Sequence, residues 1–304
     1  MRRFAVGMAV TALAVTSALA GVLPAAAAHH SAATTHQAAG TPRFYYVSLG
    51  DSLARGVQPS ANGDVETSQG YADQLFTALQ LGNPELHLIK FGCPGETTKT
   101  MIKGGICTYQ AGSQLAQAAR FIKNHPGHVQ LVTIDIGAND LNPCVALTNL
   151  TKLVACLQKV IPVAVKNLAT IMATLRAASA KPVDIVAGNY YVPELASWLK
   201  GTKAAKELAQ DSVALGKAFN SDLTAVYSKF KVPVADVFTA FHTADFKTMV
   251  TIPAFGSVPR DVGFICSYTW QCSQFQDEHA NRLGYAVIAS AFMNVLLPPA
   301  AKSS

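Results

Sequence analysis

Two residues in this chain stand where a side chain can do chemistry. Ser52 lies in Gly50-Asp51-Ser52-Leu53, directly after an aromatic and β-branched run. The glycine permits a sharp turn and a close backbone approach, which leaves the hydroxyl at the edge of the sheet to which that run belongs. His279 lies in Asp277-Glu278-His279, just before a helix-like run. Imidazole is the usual general base, and a nearby carboxylate can fix its tautomer. Between them come two sets of donors. Gly92-Cys93-Pro94-Gly95-Glu96-Thr97-Thr98 is a rigid turn whose backbone N–H groups suit an anion or a developing oxyanion. Gly137-Ala138-Asn139-Asp140 offers a side-chain NH₂. Singly, each has a plain reading as a turn or a helix cap. Jointly they supply a nucleophile, two kinds of oxyanion donor and a base, the set that acyl transfer requires.

The elements around them place all four groups at strand ends or a helix start. Strands are expected over Phe44–Leu49, Leu86–Phe91, Val129–Ile136, Val183–Ala187 and, more weakly, Val232–Val237. Helices are expected over Gly70–Leu81, Gln114–Lys123, Leu147–Ala178 with a kink or break at Pro162, Lys203–Phe230 and Asn281–Leu296. Strand–helix alternation means parallel βαβ units, with helices on both faces of one sheet. In such folds the working residues sit at the carboxyl ends of the strands, where these motifs fall.

Four blocks in one chain order then resemble a known family. G-D-S-L at 50–53, P-G-E-T-T at 94–98, G-A-N-D at 137–140 and D-E-H-A-N-R-L-G-Y at 277–285 are similar to the Ser, Gly, Asn and His blocks of the GDSL (SGNH) hydrolases. The resemblance implies a three-layer α/β sandwich around a central parallel five-stranded, flavodoxin-like sheet. It implies Ser52 as nucleophile, and His279 as base. The Ser52 and Gly95 backbone N–H groups and the Asn139 side chain would form the oxyanion hole, with Gly92 as the rival to Gly95. The family often places its acid three residues before the histidine. Here that position is Gln276, and the acid is Asp277. The third member is therefore either Asp277 or a backbone carbonyl. No cofactor or metal is implied, and G-x-S-x-G, the elbow of the α/β-hydrolases, is absent from the sequence.

The remaining features concern compartment and partners. Met1-Arg2-Arg3, an apolar run to about Ala20 and the small residues Ala25–Ala28 read as a secretory signal peptide spanning 1–28. Residues 29–41 and 298–304 read as flexible tails, leaving one hydrolase domain over 42–297. Losing Arg2 and Arg3 takes the formal charge from +6 to +4. No run of Lys or Arg stands out, so nucleic acid is not an expected partner; stable membrane insertion is not expected either, and the chain reads as a monomer. Six cysteines in an exported chain point to disulfides. Their order suggests local pairs: Cys93–Cys107, Cys144–Cys156 and Cys266–Cys272. Three local pairs also resemble the secreted actinobacterial lipases and esterases of the family.

The expected activity is hydrolysis of small-molecule or lipid esters by a secreted esterase or lipase. A phospholipase or carbohydrate O-deacetylase on the same frame is the alternative, and a non-catalytic binding protein the distant one. Two segments suit an acyl groove, Asn189–Pro193 and Phe255–Trp270.

Overall fold

The computed structural model describes residues 43–297 apart from Ala146 and Thr148; the signal-peptide and tail readings lie outside them. From its start, β1 (Phe44–Gly50) leads through α1 (Ser52–Arg55) into a hairpin of β2 (Val57–Ser60) and β3 (Gly63–Glu66), then α2 (Tyr71–Gln80), β4 (Leu86–Lys90) and α3 (Thr98–Lys103). The middle of the chain forms α4 (Gln114–Asn124), β5 (Val129–Asp135), α5 (Asn142–Val145), α6 (Leu150–Ala178), β6 (Asp184–Gly188) and α7 (Lys203–Lys229). After β7 (Val234–Ala235) and α8 (Val237–Ala240) come a second hairpin, β8 (Met249–Ile252) and β9 (Gly256–Pro259), then α9 (Arg260–Tyr268) and α10 (Arg282–Leu296).

Five strands pair in parallel in the order β4-β1-β5-β6-β7. This is the flavodoxin-like order, with its topological switch between β1 and β5. β1 and β5 sit inside the sheet and are buried on both faces for most of their length, which explains their nearly unbroken apolar sequence. On one face α3, α4, α6 and α7 cover a core around Val132, Ile134, Ile171 and Leu223. On the other, α2 and α10 cover a core around Tyr71, Leu75, Tyr285 and Phe292. The expected three-layer sandwich is the observed one.

Two expectations need adjusting. Of the kink or break expected at Pro162, the break is absent: α6 runs through the proline as one helix of 29 residues. Pro162 and Gln158, whose carbonyl loses its partner to the proline, both lie on the solvent side, where water can satisfy it. β7 is only Val234–Ala235, shorter than Val232–Val237. It is an edge strand, and Pro233 has no N–H to lend the ladder. Both hairpins, α3 and α9 are short elements that hydrophobic period does not announce.

Gly50 joins the sheet to the site. Its φ is +131°, and a Cβ there would lie 2.0 Å from the Asp135 carbonyl oxygen on the adjoining strand. Only glycine lets β1 end this close to β5. Gly50→Ala is expected to cost about 3 kcal/mol or more, as overpacking and a strained φ combine. Thermal denaturation followed by circular dichroism checks it; an unchanged melting temperature would mean that this contact does not constrain the turn.

Candidate active site

Ser52 opens α1 at the carboxyl end of β1, beside the switch point. Asp51 caps this short helix: its carboxylate accepts from Leu53 N at 2.9 Å and from the Tyr190 hydroxyl at 3.0 Å. Gln114 clamps the preceding residue from both sides, accepting from Gly50 N at 2.7 Å and donating to Gly50 O at 2.9 Å. The same amide donates to Glu96 at 2.9 Å, which ties the turn of Ser52 to the turn that bears Gly95. Gly92 packs so tightly on Ala54 that a Cβ would come within 2.7 Å of it. Gly95 instead has φ +77° and open space in front of it, so the two glycines divide as packing and exposed turn.

Asn139 sits in the turn after β5, the other strand of the switch. Its NH₂ donates to Glu96 O at 3.1 Å, and its oxygen accepts from Asn142 at 3.0 Å. One amide hydrogen is thereby spent on orientation, leaving the other for a ligand. Asp140 fastens the same turn to α3 through Thr98 N and Thr98 Oγ1, each at 2.7 Å.

His279 does not cap the last helix, and neither does Asp277. That cap is Asn281, which accepts from Gly284 N at 3.0 Å. His279 lies in the loop before it, held by Trp270 N donating to His279 O at 3.0 Å. Asp277 accepts from both the His279 backbone N and the ring Nδ1, each at 2.8 Å. With Nδ1–H bonded to the carboxylate, Nε2 carries the free lone pair. Asp64 of the β3 strand adds a second carboxylate 4.0 Å from Nδ1. Burial pulls the His279 pKa down, but the Asp277 hydrogen bond and the surrounding carboxylates outweigh it, so the net shift is upward. Burial pushes Asp277 up; its bonds to His279 outweigh that and hold it below the usual carboxylate range. Among the described residues, ligand atoms of Asp64, Asp277 and His279 approach within 4.8 Å of one another. Since Nδ1 is already committed to Asp277, these groups read as charge around a base.

Ser52, Asn139 and His279 line one cleft of about 780 Å³. Among the described residues no hydrogen bond joins the Ser52 hydroxyl to the His279 ring; such pairs often tighten only when substrate binds. Gly95 is exposed at the neighbouring turn, outside the lining of the cleft. All three expected disulfides are formed. They are the chemistry of an oxidising compartment.

Sequence reading passed over the residues behind Ser52. Asp51 and Asp135 are 2% and 3% exposed, and Asp51 N donates to Asp135 O at 3.2 Å. Burial raises both carboxyl pKa values, that of Asp135 further, with the neighbouring Asp51 charge adding to it. Tyr71 donates to Asp135. The signal was available as an acid inside a buried strand, Asp135 in VQLVTID, but burial there depends on the sheet having formed.

Residues 48–287 match the model of the GDSL-like lipase/acylhydrolase family. The chain belongs to that family. Its members' general reaction is hydrolysis of esters. Among solved structures, the lipase Lip_vut3 from a goat rumen metagenome superposes with a TM-score of 0.55 at 19% identity, over 82% of this chain and 96% of that one. An acetylxylan esterase from Geobacillus stearothermophilus does so with a TM-score of 0.50 at 13% identity, over 86% and 97%. Both likenesses are of fold. No curated protein matches the chain.

As a general base, His279 would have to be neutral to accept a proton, so turnover is expected to fall as pH drops through its raised pKa. Asp277→Asn is expected to lower kcat by about 10² or more and to move the acid limb of kcat/KM to lower pH. A pH–rate profile on a chromogenic ester checks both. Near-full turnover with an unmoved limb would leave a Ser–His dyad oriented by backbone.

Proposed function

We propose that the protein is a secreted serine carboxylesterase or lipase whose preferred substrates carry an extended apolar acyl chain. The observation that carries this reading is the cleft itself. It runs from Ser52 and His279 between α6 and α7, walled by Leu153, Leu157, Ile161, Leu215 and Phe219. Its volume lies in the ~300–1,000 Å³ range of small-molecule sites. Tyr190 to Pro193 supply part of the wall, as expected for that loop, whereas Phe255–Trp270 does not line the cleft; much of that segment is taken up by β9 and α9.

In this reading His279 Nε2 takes the Ser52 proton as Oγ attacks the ester carbonyl. The tetrahedral oxyanion is met by the Ser52 and Gly95 N–H groups and by Asn139, each donor worth about 3 kcal/mol of barrier. The alcohol leaves with the proton from His279. Water then attacks the acyl-Ser52 under the same base, releasing the acid and restoring the serine. Export is supported by the three disulfides, together with the leader-like start of the sequence.

The apolar lining weighs against a carbohydrate deacetylase. Trp198 packs on Phe246 and under Lys206, Trp270 donates to Gln58, and neither lines the cleft. A non-catalytic binding protein has no need of the complete Ser–Gly–Asn–His set.

Hydrolysis of p-nitrophenyl esters of graded chain length tests the proposal. Each buried CH₂ contributes about 0.8 kcal/mol, roughly fourfold in kcat/KM, until the cleft is filled. Leu157→Trp is expected to lower kcat/KM on long-chain esters at least ~10-fold while short-chain turnover persists, because the indole fills the cleft wall. Ser52→Ala is expected to abolish turnover of every ester. Ester hydrolysis that survives Ser52→Ala would falsify the acyl-serine mechanism, and a preference for acetyl esters would move the reading to a deacetylase.

A further inference from the structure

Between Glu96 and Asp184 the chain has nine Lys or Arg and two carboxylates, Asp135 and Asp140. Asp135 is buried under the nucleophile, and Asp140 is bound to Thr98. The helices of this stretch, α3, α4 and α6, carry no acid at all. They pack side by side on one face of the sheet. On their solvent side stand Lys152, Lys159 and Lys166 of α6, Lys99 and Lys103 of α3, and Arg120 and Lys123 of α4, all exposed. The three α6 lysines recur every seven residues, so they form one stripe along the helix.

Exposed apolar side chains stand on that stripe and at the cleft beside it. Val163 on α6 is 56% exposed, Val145 of α5 at the cleft is 50% exposed, and Leu208 across the cleft on α7 is 46% exposed. α6 is long and apolar enough to pass for a membrane span by composition, yet only 22% of its most apolar stretch is buried. Its inner row, Leu168, Ile171, Met172 and Leu175, is committed to the core, so the helix cannot cross a bilayer while the domain is folded. Gln158 and Pro162, which line the cleft, lie roughly a quarter-turn or less from the lysine stripe. Cations mixed with exposed aliphatic groups, continuous with an apolar cleft, match the chemistry of an anionic lipid surface. α7, on the other side of the cleft, carries both signs, with Lys203 paired to Glu207 at 3.6 Å.

We propose that the α3–α4–α6 face docks the enzyme peripherally on anionic lipid surfaces, with the α6 lysine stripe as its electrostatic anchor and Val163, with Val145 beside it, as its apolar contact. The proposal extends the lipid-ester reading above but does not depend on turnover. Docking on such a surface would present the cleft mouth to esters held in it.

Co-sedimentation of the whole protein with vesicles of phosphatidylcholine, alone or mixed with phosphatidylglycerol, tests it. Binding is expected to be at least ~10-fold tighter to the anionic vesicles and to weaken as salt rises. Each lysine near such a surface is worth roughly fivefold, so K152Q/K159Q/K166Q is expected to lower vesicle affinity about 100-fold. Its melting temperature and its turnover of a water-soluble short-chain ester should match the wild type. Val163→Ser should weaken vesicle binding without changing the salt dependence, and Lys247→Glu, placed elsewhere on the surface, should leave binding unchanged. The proposal is overturned if the triple variant sediments like the wild type, if Lys247→Glu weakens binding as much, or if heparin binds as tightly as the anionic vesicles. The last result would identify a soluble polyanion as the partner. Because binding is read without turnover, Ser52→Ala should sediment like the wild type, so failure of docking and failure of the hydrolase reading are separately visible.

Discussion

Two carboxyl groups, Asp51 and Asp135, are buried close together at the turn that carries Ser52, and the donors around them have to offset that burial. Burial raises the pKa of both, that of Asp135 further. A lone buried carboxylate would be costly without hydrogen bonds, and each is supplied with donors from a different part of the chain. Leu53 N and the Tyr190 hydroxyl serve Asp51, and Tyr71 serves Asp135. Tyr71 opens α2 on one face of the sheet, and Tyr190 leaves β6 at the lip of the cleft. Satisfying this pair therefore positions elements from both sides of the sheet around a single residue. Gly50 is the steric counterpart: the pair can form only because β1 ends without a side chain.

His279, the proposed base, is held by different means. Ser52 and Asn139 stand on turns at the ends of β1 and β5, the interior strands of the switch. His279 stands on a loop, braced by Trp270 N, by the pairing of Thr269 with Ala280 and by the nearby Cys266–Cys272 bridge. Rigid oxyanion donors preserve their alignment at no cost during reaction. A proton carrier must serve the attacking serine, the leaving alcohol and the water in turn, and a loop allows the ring small adjustments that a strand end does not. The carboxylates at Nδ1 fix the tautomer without touching Nε2, so orientation and proton transfer are assigned to opposite edges of one ring.

What the sequence disclosed follows the range of the forces involved. Strand–helix alternation is a local property, and it yielded the parallel sheet and all five strands of the sandwich. Three of the four motif blocks lie at strand ends and the fourth just before the last helix, and Ser52, Asn139 and His279 meet in the cleft. The disulfide pairs were legible because each closes a short loop. Long-range features were not legible. Asp135 reads as an oddity in an apolar strand until β1 is laid against it. Gln114 reads as an ordinary first-turn residue until it is seen clamping Gly50, 64 positions away. The seven exposed cations of α3, α4 and α6 form no run, because they are spread over 68 positions, from Lys99 to Lys166, and only helix packing brings them to one face.

In the proposed reading, chain-length preference and chemistry are built from separate parts of this molecule. Ser52 and Asn139 hang on strand ends and His279 on the loop before α10, whereas the cleft wall is made by two long helices whose inner rows are anchored in the sheet core. The spacing of α6 and α7 sets the width of the cleft, and the Cys144–Cys156 bridge ties α5 to the first turns of α6. A substitution on the facing rows can then change which acyl chain fits while the Asp51–Asp135 pair, the Gln114 clamp and the Asp277–His279 bond stay as they are. In the proposed reading, that separation lets the acyl group that fits change while the position of the carbonyl under attack is kept.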